Sequence, residues 1–170
     1  MKRALLALVL AFGCAAPALA DPGATTCLTA PLTVTSGSAY SANNEVGGLI
    51  SFTLPGNYTS GLLQGVQVNV KSSQSNAYKL YLFTSNPSNS TWTDKVSPAI
   101  NAADTLKPIG PFNIAAYDNG LGTQTAYVLG GISTPFTSAT STLYGVLVTT
   151  SAVTYTSTSD VQVQACVLPG

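Results

Sequence analysis

The segment LYGVLVTTSAVTYTSTSDVQVQACVL, residues 143–168, decides the fold of this chain. In its second half, apolar residues alternate with polar ones. The apolar positions are Val161, Val163, Ala165 and Val167. A period of two residues is typical of a strand with one buried face. Leu143–Thr150 repeats the pattern, so the segment predicts two strands, Leu143–Thr150 and Asp160–Leu168, joined by a Ser/Thr-rich connection.

Six stretches upstream have the same strand character. They are Leu32–Val34, Ile50–Leu54, Leu62–Lys71, Ala77–Ser85, Ile109–Ala116 and Gln124–Leu129. With the C-terminal pair they predict an all-β fold of about eight strands, a two-sheet antiparallel β-sandwich of jelly-roll type. Leu62–Lys71 and Ala77–Ser85 are expected to pair as a hairpin. Because Ala77–Ser85 is apolar on both faces, we expect it to be central and covered on both sides.

Glycine, proline and loss of alternation predict the breaks between strands. Residues 21–31 are expected to form an irregular lead-in. Gly47-Gly48 predicts a bulge or a close approach, and Gly130-Gly131 is expected to end the sixth strand. Residues 86–108 contain three prolines and predict a long excursion, with a short helical turn over Asn101–Leu106. Long loops of this kind are often functional.

Residues 1–20 have the pattern of a secretory signal peptide. Lys2 and Arg3 precede the apolar run Ala4–Phe12, and Ala18-Leu19-Ala20 forms an A-x-A cleavage site. The apolar run is too short to cross a bilayer. The sequence therefore predicts export to the periplasm or the cell exterior, with residues 21–170 forming one β-sandwich domain.

Two cysteines remain after cleavage, Cys27 and Cys166. An even number of cysteines in an exported chain predicts a disulfide, with two free buried thiols as the alternative. Two cysteines without any histidine are too few ligands for zinc, and no other metal site or cofactor is predicted.

The charge balance argues against a nucleic-acid partner. The chain has six Lys and Arg residues, six Asp and Glu residues and no His. Since Lys2 and Arg3 belong to the leader, the mature domain carries a small net negative charge. Such a surface cannot neutralise a phosphate backbone. It also lacks the basic amphipathic helix that binds an anionic membrane, so no membrane insertion is expected after cleavage.

The sequence contains no recognisable catalytic constellation. Nucleophilic catalysis needs a base beside Ser or Cys, and there is no histidine to serve. None of the lysines lies in an S-x-x-K motif on a predicted helix. Glycoside hydrolysis needs two carboxylates across a cleft, but the acidic residues fall in predicted turns and strand ends. We therefore predict that the protein is not an enzyme.

Three aromatic residues, Tyr58, Trp92 and Tyr117, lie in predicted loops. Exposed aromatic rings in the loops of a β-sandwich stack on sugars in carbohydrate-binding modules. The same rings could instead pack on the ends of the sandwich. Sugar binding would require Trp92 to be exposed beside a second aromatic residue.

Four regions resemble small β-rich structural proteins of tailed bacteriophages. The matching stretches are Gly47–Phe52, Ser60–Val66, Leu80–Pro87 with Thr91–Asp94, and Thr142–Val148 with Thr154–Asp160. The resemblance covers about residues 46–168 and rests on packing and turn motifs. It implies a virion surface, decoration or tail-associated protein without catalytic residues. The leader and the cysteine pair are not part of the family pattern.

The residues and the resemblance together predict a non-enzymatic structural protein that presents its surface in an assembly. Its expected partners are copies of itself or virion proteins. The location is outside the cytoplasm, or in the virion if the family role applies. The alternative function is a secreted bacterial carbohydrate-binding module whose ligand is a glycan. A hydrolase is a third, weaker hypothesis.

Overall fold

The computed structural model describes residues 23–72, 76–115 and 125–170, with only the backbone described for 125–129. These residues form eight strands and two short 3-10 helices. The strands are β1 (Thr26–Pro31), β2 (Glu45–Thr53), β3 (Ser60–Val70), β4 (Tyr78–Phe83), β5 (Phe112–Ile114), β6 (Thr125–Thr137), β7 (Thr142–Thr149) and β8 (Val161–Pro169). The 3-10 helices are Pro55–Asn57 and Ala102–Asp104. The second one confirms the helical turn predicted within the long excursion.

The strands form two antiparallel sheets of four, in the orders β1-β8-β3-β6 and β2-β7-β4-β5. The first strand pairs with the last, β2 with β7, β3 with β6, and β4 with β5. This nesting is what results when one long antiparallel hairpin is rolled up, which is the jelly-roll arrangement. The predicted all-β sandwich is therefore confirmed. The two C-terminal strands that indicated it, β7 and β8, are each an internal strand of one sheet.

The core lies between the inner faces of the two sheets. Alternate residues of each strand point into it, as the period-two pattern predicts. Its fully buried side chains include Leu63, Val68, Leu80, Leu82, Ile114, Leu143, Leu147, Val163, Ala165 and Val167. Burying these apolar groups is the main contribution to stability.

The hairpin predicted between β3 and β4 is wrong. β3 pairs with β6 and β8, whereas β4 pairs with β5 and β7 in the other sheet. The connection between them crosses from one sheet to the other. Nearness in sequence predicts a hairpin by default, but in this rolled structure only β4 and β5 are neighbours in both chain and sheet, and the other pairs join strands far apart along the chain.

The lead-in over residues 21–31 is not irregular, because it contains β1. Leu28 and Ala30 turn inward, while Cys27 and Thr29 are exposed. β1 is an edge strand with a weakly apolar inner face, which is why alternation did not reveal it. It places Cys27 directly opposite Cys166 of β8, and the two sulfur atoms lie at disulfide distance. Both cysteines lie on the outer face, away from the β8 valines.

The two glycine pairs have different effects on the strands that contain them. Gly47 and Gly48 have φ near +80° and interrupt the pairing of β2 with β7, which confirms the predicted bulge. Gly130-Gly131, in contrast, does not end the sixth strand. β6 continues to Thr137 after a shift in its register with β3. It can include Pro135 because it is an edge strand, where a missing N–H is tolerated.

Candidate functional site

The candidate site is a groove on the outer face of the sheet that contains β4. Lys79, Tyr81 and Phe83 of β4 point to this face, since they alternate with the core residues Leu80 and Leu82. The excursion over residues 86–108 lies against the same face. β4 is thus internal to its sheet and covered on both sides, as its apolar faces predicted.

The groove has a volume of about 220 Å³. Its walls come from β4, β7, the excursion and the loop before β2. They are formed by Asn43, Lys79, Tyr81, Phe83, Trp92, Pro98, Ile100 and Val148. The volume is far more than one water molecule needs and smaller than a pocket for a drug-sized ligand. It suits a ligand the size of one ring.

Trp92 is held in a defined orientation at this groove. Its ring is half-buried and packs on Phe83, with 5.6 Å between ring centroids and an interplanar angle of 59°. The indole Nε1 donates a hydrogen bond of 3.0 Å to the carbonyl oxygen of Pro87. Because both the ring and its N–H are fixed, the exposed part of Trp92 is a preformed apolar wall.

Asp94 anchors the excursion to the body of the sandwich. Its Oδ2 accepts hydrogen bonds from the Thr35 backbone N–H at 2.8 Å and the Thr35 hydroxyl at 2.7 Å. The Tyr40 hydroxyl donates to the same carboxylate at 2.7 Å. The Gly47 N–H donates to Oδ1 at 2.6 Å. Burial and the bond to Asp94 raise the pKa of Tyr40, so this hydroxyl remains a donor at all physiological pH values.

The bulge at Gly47 is what allows this anchor. A Cβ on Gly47 would lie 2.7 Å from Cβ of Leu32, and its φ of +80° disfavours any other residue. The amide of Gly47 can therefore face Asp94 only because no side chain occupies that space.

Glu45, the first residue of β2, is a second attachment point. Its backbone exchanges hydrogen bonds with the excursion, since the Lys95 N–H donates to the Glu45 carbonyl and the Glu45 N–H to the Val96 carbonyl, each at 2.9 Å. Its side-chain Oε2 accepts from the Thr93 N–H at 3.1 Å. The side chain is completely buried, and Oε1 has no hydrogen-bond partner among the described residues.

Burial raises the pKa of Glu45 to about 7. The Thr93 N–H opposes this shift, and the nearby charge of Asp94 adds to it. A carboxyl group that is sealed from solvent in this way cannot reach a substrate. Glu45 is therefore part of the support for the groove and not of its lining.

Glu45→Gln is expected to flatten the pH dependence of stability between about pH 4.5 and 7. The folded chain holds the Glu45 proton more tightly than the unfolded chain does. The stabilisation is therefore complete below about pH 4.5 and is lost as pH rises towards 7. The raised pKa corresponds to a loss on the order of 3 kcal/mol.

The measurement is the free energy of unfolding in urea at several pH values from 4.5 to 8. Asp104 and Asp160 do not obscure the result, because hydrogen bonds lower their pKa values despite burial and their effects lie at lower pH. Parallel pH profiles for the wild type and Glu45→Gln would contradict this role of Glu45.

A third carboxylate fixes the far end of the excursion. Asp104 is buried and accepts hydrogen bonds from Asn89 at 3.3 Å and Ser90 at 2.7 Å. Its Oδ1 also pairs with Nζ of Lys107 at 2.5 Å. Burial alone would raise the pKa of Asp104, but the bonds from Lys107, Ser90 and Asn89 lower it to about 2. All three partners belong to the excursion, so this carboxylate ties residues 104–107 to residues 89 and 90 within it.

Of the two predicted loop aromatics that the structure describes, Tyr58 and Trp92, one lies at the groove. Trp92 forms a wall, whereas Tyr58 is half-buried beside the Pro55–Asn57 turn and does not line the groove. Tyr117 lies outside the described residues, as does the predicted leader over residues 1–20. Phe83, the ring that packs on Trp92, is buried, so the second accessible ring in the groove is Tyr81, on a strand. The sequence indicated this residue only through the apolar side chains on both faces of the predicted strand Ala77–Ser85.

Among the described residues, no three His, Cys, Asp or Glu side chains group into a metal site. In the same residues, no helix is long and apolar enough to cross a membrane. The sequence matches no protein-family model, and it matches no curated protein. The strand order places the chain in the class of jelly-roll β-sandwiches.

Proposed function

We propose that this protein is a non-enzymatic, exported β-sandwich that presents its surface within an assembly. The observation that carries the proposal is the exposure of three large apolar residues on the excursion. Leu106 is 95% exposed, Val96 53% and Ile100 43%. We interpret these side chains, which share one segment of a hydroxyl-rich surface, as part of a contact surface for another protein. The excursion is also held firmly enough to present them.

The acidic groups support a non-enzymatic role because each described one has a structural partner. Asp94 anchors the excursion to the body of the sandwich, and Asp104 ties two parts of the excursion together. Asp160 is buried and accepts from the N–H groups of Thr156 and Ser157 at 2.7 and 3.0 Å. Glu45 is sealed inside. These carboxylates are used for folding, so none of them is placed as a general acid or base in a cleft.

The expected partners are further copies of this chain or virion proteins. The resemblance to structural proteins of tailed phages supports this assignment. The jelly-roll fold agrees with it by analogy, because viral capsid domains and lectin domains both use this architecture. Cysteines at disulfide distance are compatible with an oxidising compartment outside the cytoplasm.

Leu106→Asp is expected to weaken self-association of the mature protein at least tenfold. A carboxylate in an apolar contact loses its hydration without gaining a partner. The measurement is the mass distribution by sedimentation velocity over a hundredfold range of concentration. Thr29→Asp is the matched control, since it adds the same charge at an exposed position of the opposite sheet. A wild type that stays monomeric throughout, and binds no virion protein, would refute the assembly proposal.

The groove favours a second candidate function, sugar binding. Trp92 and Tyr81 place two aromatic rings in a cavity that suits one ring. Polar groups at its edge can bond to hydroxyls. This candidate uses Trp92 as the sequence predicted, but it needs neither Tyr58 nor Tyr117.

A further inference from the structure

We propose that the groove binds one negatively charged sugar ring of an acidic polysaccharide, whose carboxylate pairs with Lys79. The inference rests on the second candidate function, sugar binding, and specifies its ligand class. Three features of the groove support it. They are the aromatic walls, the polar group at its edge, and the half-buried Lys79, which pairs with no described carboxylate.

The aromatic walls fit the apolar face of a sugar ring. Trp92 is fixed by its packing on Phe83 and by its hydrogen bond to Pro87. Tyr81 projects from the internal strand β4, where its backbone lies opposite Val146 of β7. Neither ring has to be ordered when the ligand binds, so little affinity is lost to conformational entropy.

Asn43 supplies the hydrogen-bonding capacity that a sugar needs. Its side-chain amide offers both donors and an acceptor, and it lies at the exposed rim of the groove. Its backbone is fixed, because the Asn43 N–H donates to the Thr149 carbonyl at 2.8 Å. A purely apolar ligand would form no hydrogen bonds with this amide.

Lys79 determines the charge of the ligand. Of the described lysines, Lys107 pairs with Asp104, while Lys71 and Lys95 donate to Ser159 and Ser38. Lys79 is half-buried in the groove, and no described carboxylate pairs with it. The nearby acids are unavailable, since Asp94 is bound by several donors and Glu45 is sealed. A partly desolvated ammonium group favours a ligand that brings an anion.

The net charge of the surrounding surface does not help to attract an anionic ligand. The mature domain has a slight excess of acidic residues, so a polyanion is not attracted to the surface as a whole. Binding would therefore depend on Lys79 itself and would weaken as salt screens that single pair.

The test measures binding of a short galacturonate oligomer and of a neutral galactose oligomer of equal length. The protein is the mature, oxidised chain, and the readouts are calorimetry and Trp92 fluorescence. We expect the acidic oligomer to bind and to perturb Trp92. Lys79→Met should weaken that binding about tenfold, the size of one charge-assisted pair. Lys71→Met, at an exposed position outside the groove, is the matched control and should have no effect.

Trp92→Phe keeps an aromatic ring against Phe83 and should weaken binding of either oligomer. If both oligomers bind equally and Lys79→Met changes nothing, the anionic ligand is refuted while sugar binding stands. If neither oligomer binds, both ideas are refuted for these sugar classes. If Lys71→Met weakens binding as much as Lys79→Met, the attraction is diffuse and the proposed pair is wrong.

Discussion

The double variant Cys27→Ala/Cys166→Ala is expected to lose about 4–5 kcal/mol of unfolding free energy, the value for a bond closing a loop of this length. The two cysteines are separated by 139 positions, so their bond constrains nearly the whole unfolded domain. In the folded protein it fastens the edge strand β1 to the internal strand β8. Loss of the bond should therefore also let β1 fray.

Denaturation in urea measures this effect, with the wild type under oxidising conditions as reference. A loss of this size should lower the melting temperature by roughly 10–15 °C in a domain of about 150 residues. The wild type treated with a reductant should match the double variant. If thiol titration of the oxidised wild type finds two free cysteines, the disulfide is absent and the prediction is wrong.

Asp94→Ala is expected to lower the unfolding free energy by about 3–4 kcal/mol, because several donors to a charged acceptor lose it at once. The half-buried Gly47 N–H and the hydroxyl of the buried Tyr40 would lose their acceptor together. The attachment of the excursion beside Trp92 would then loosen, although the sheets themselves would remain.

Tryptophan fluorescence measures the loosening of the excursion separately from global stability, since Trp92 is the only tryptophan of the sequence. Under native conditions Asp94→Ala should shift its emission to the red as the ring leaves Phe83. Ser97→Ala, an exposed neighbour in the excursion, should leave both stability and emission unchanged. An unshifted emission spectrum for Asp94→Ala would show that Asp94 does not position Trp92.

The strand predicted at Leu32–Val34 is wrong, since these residues follow β1 and belong to no strand. Alternation in the sequence was enough to predict most of the other strands, because a half-buried strand must place apolar residues on one face. It predicted β8 and β7 closely, and it predicted the two covered faces of β4. It could not reveal β1, whose exposed edge needs little apolar character. Nor could it give the pairing, since period two states which face is buried but not which strand is the neighbour.

The site was predictable only in part, because its residues come from distant parts of the chain. Trp92 stood out as the single tryptophan of a long loop. Lys79 and Tyr81 were interpreted as ordinary strand residues, and their joint role depends on the excursion lying against β4. The sequence predicts that Glu45 lies in a loop or at a strand end, where an isolated carboxylate is normally found. Its complete burial follows from the pairing of β2 with the excursion, which local sequence does not encode.

The central claim is that the excursion over residues 86–108 is the contact surface of this fold. Hydrogen exchange of the mature protein, compared at low and at high concentration, tests it most directly. We predict that assembly slows exchange at residues 96–106, while β8 stays equally protected at both concentrations. Added protection confined to the edge strands β1 and β6, with none in the excursion, would contradict the claim.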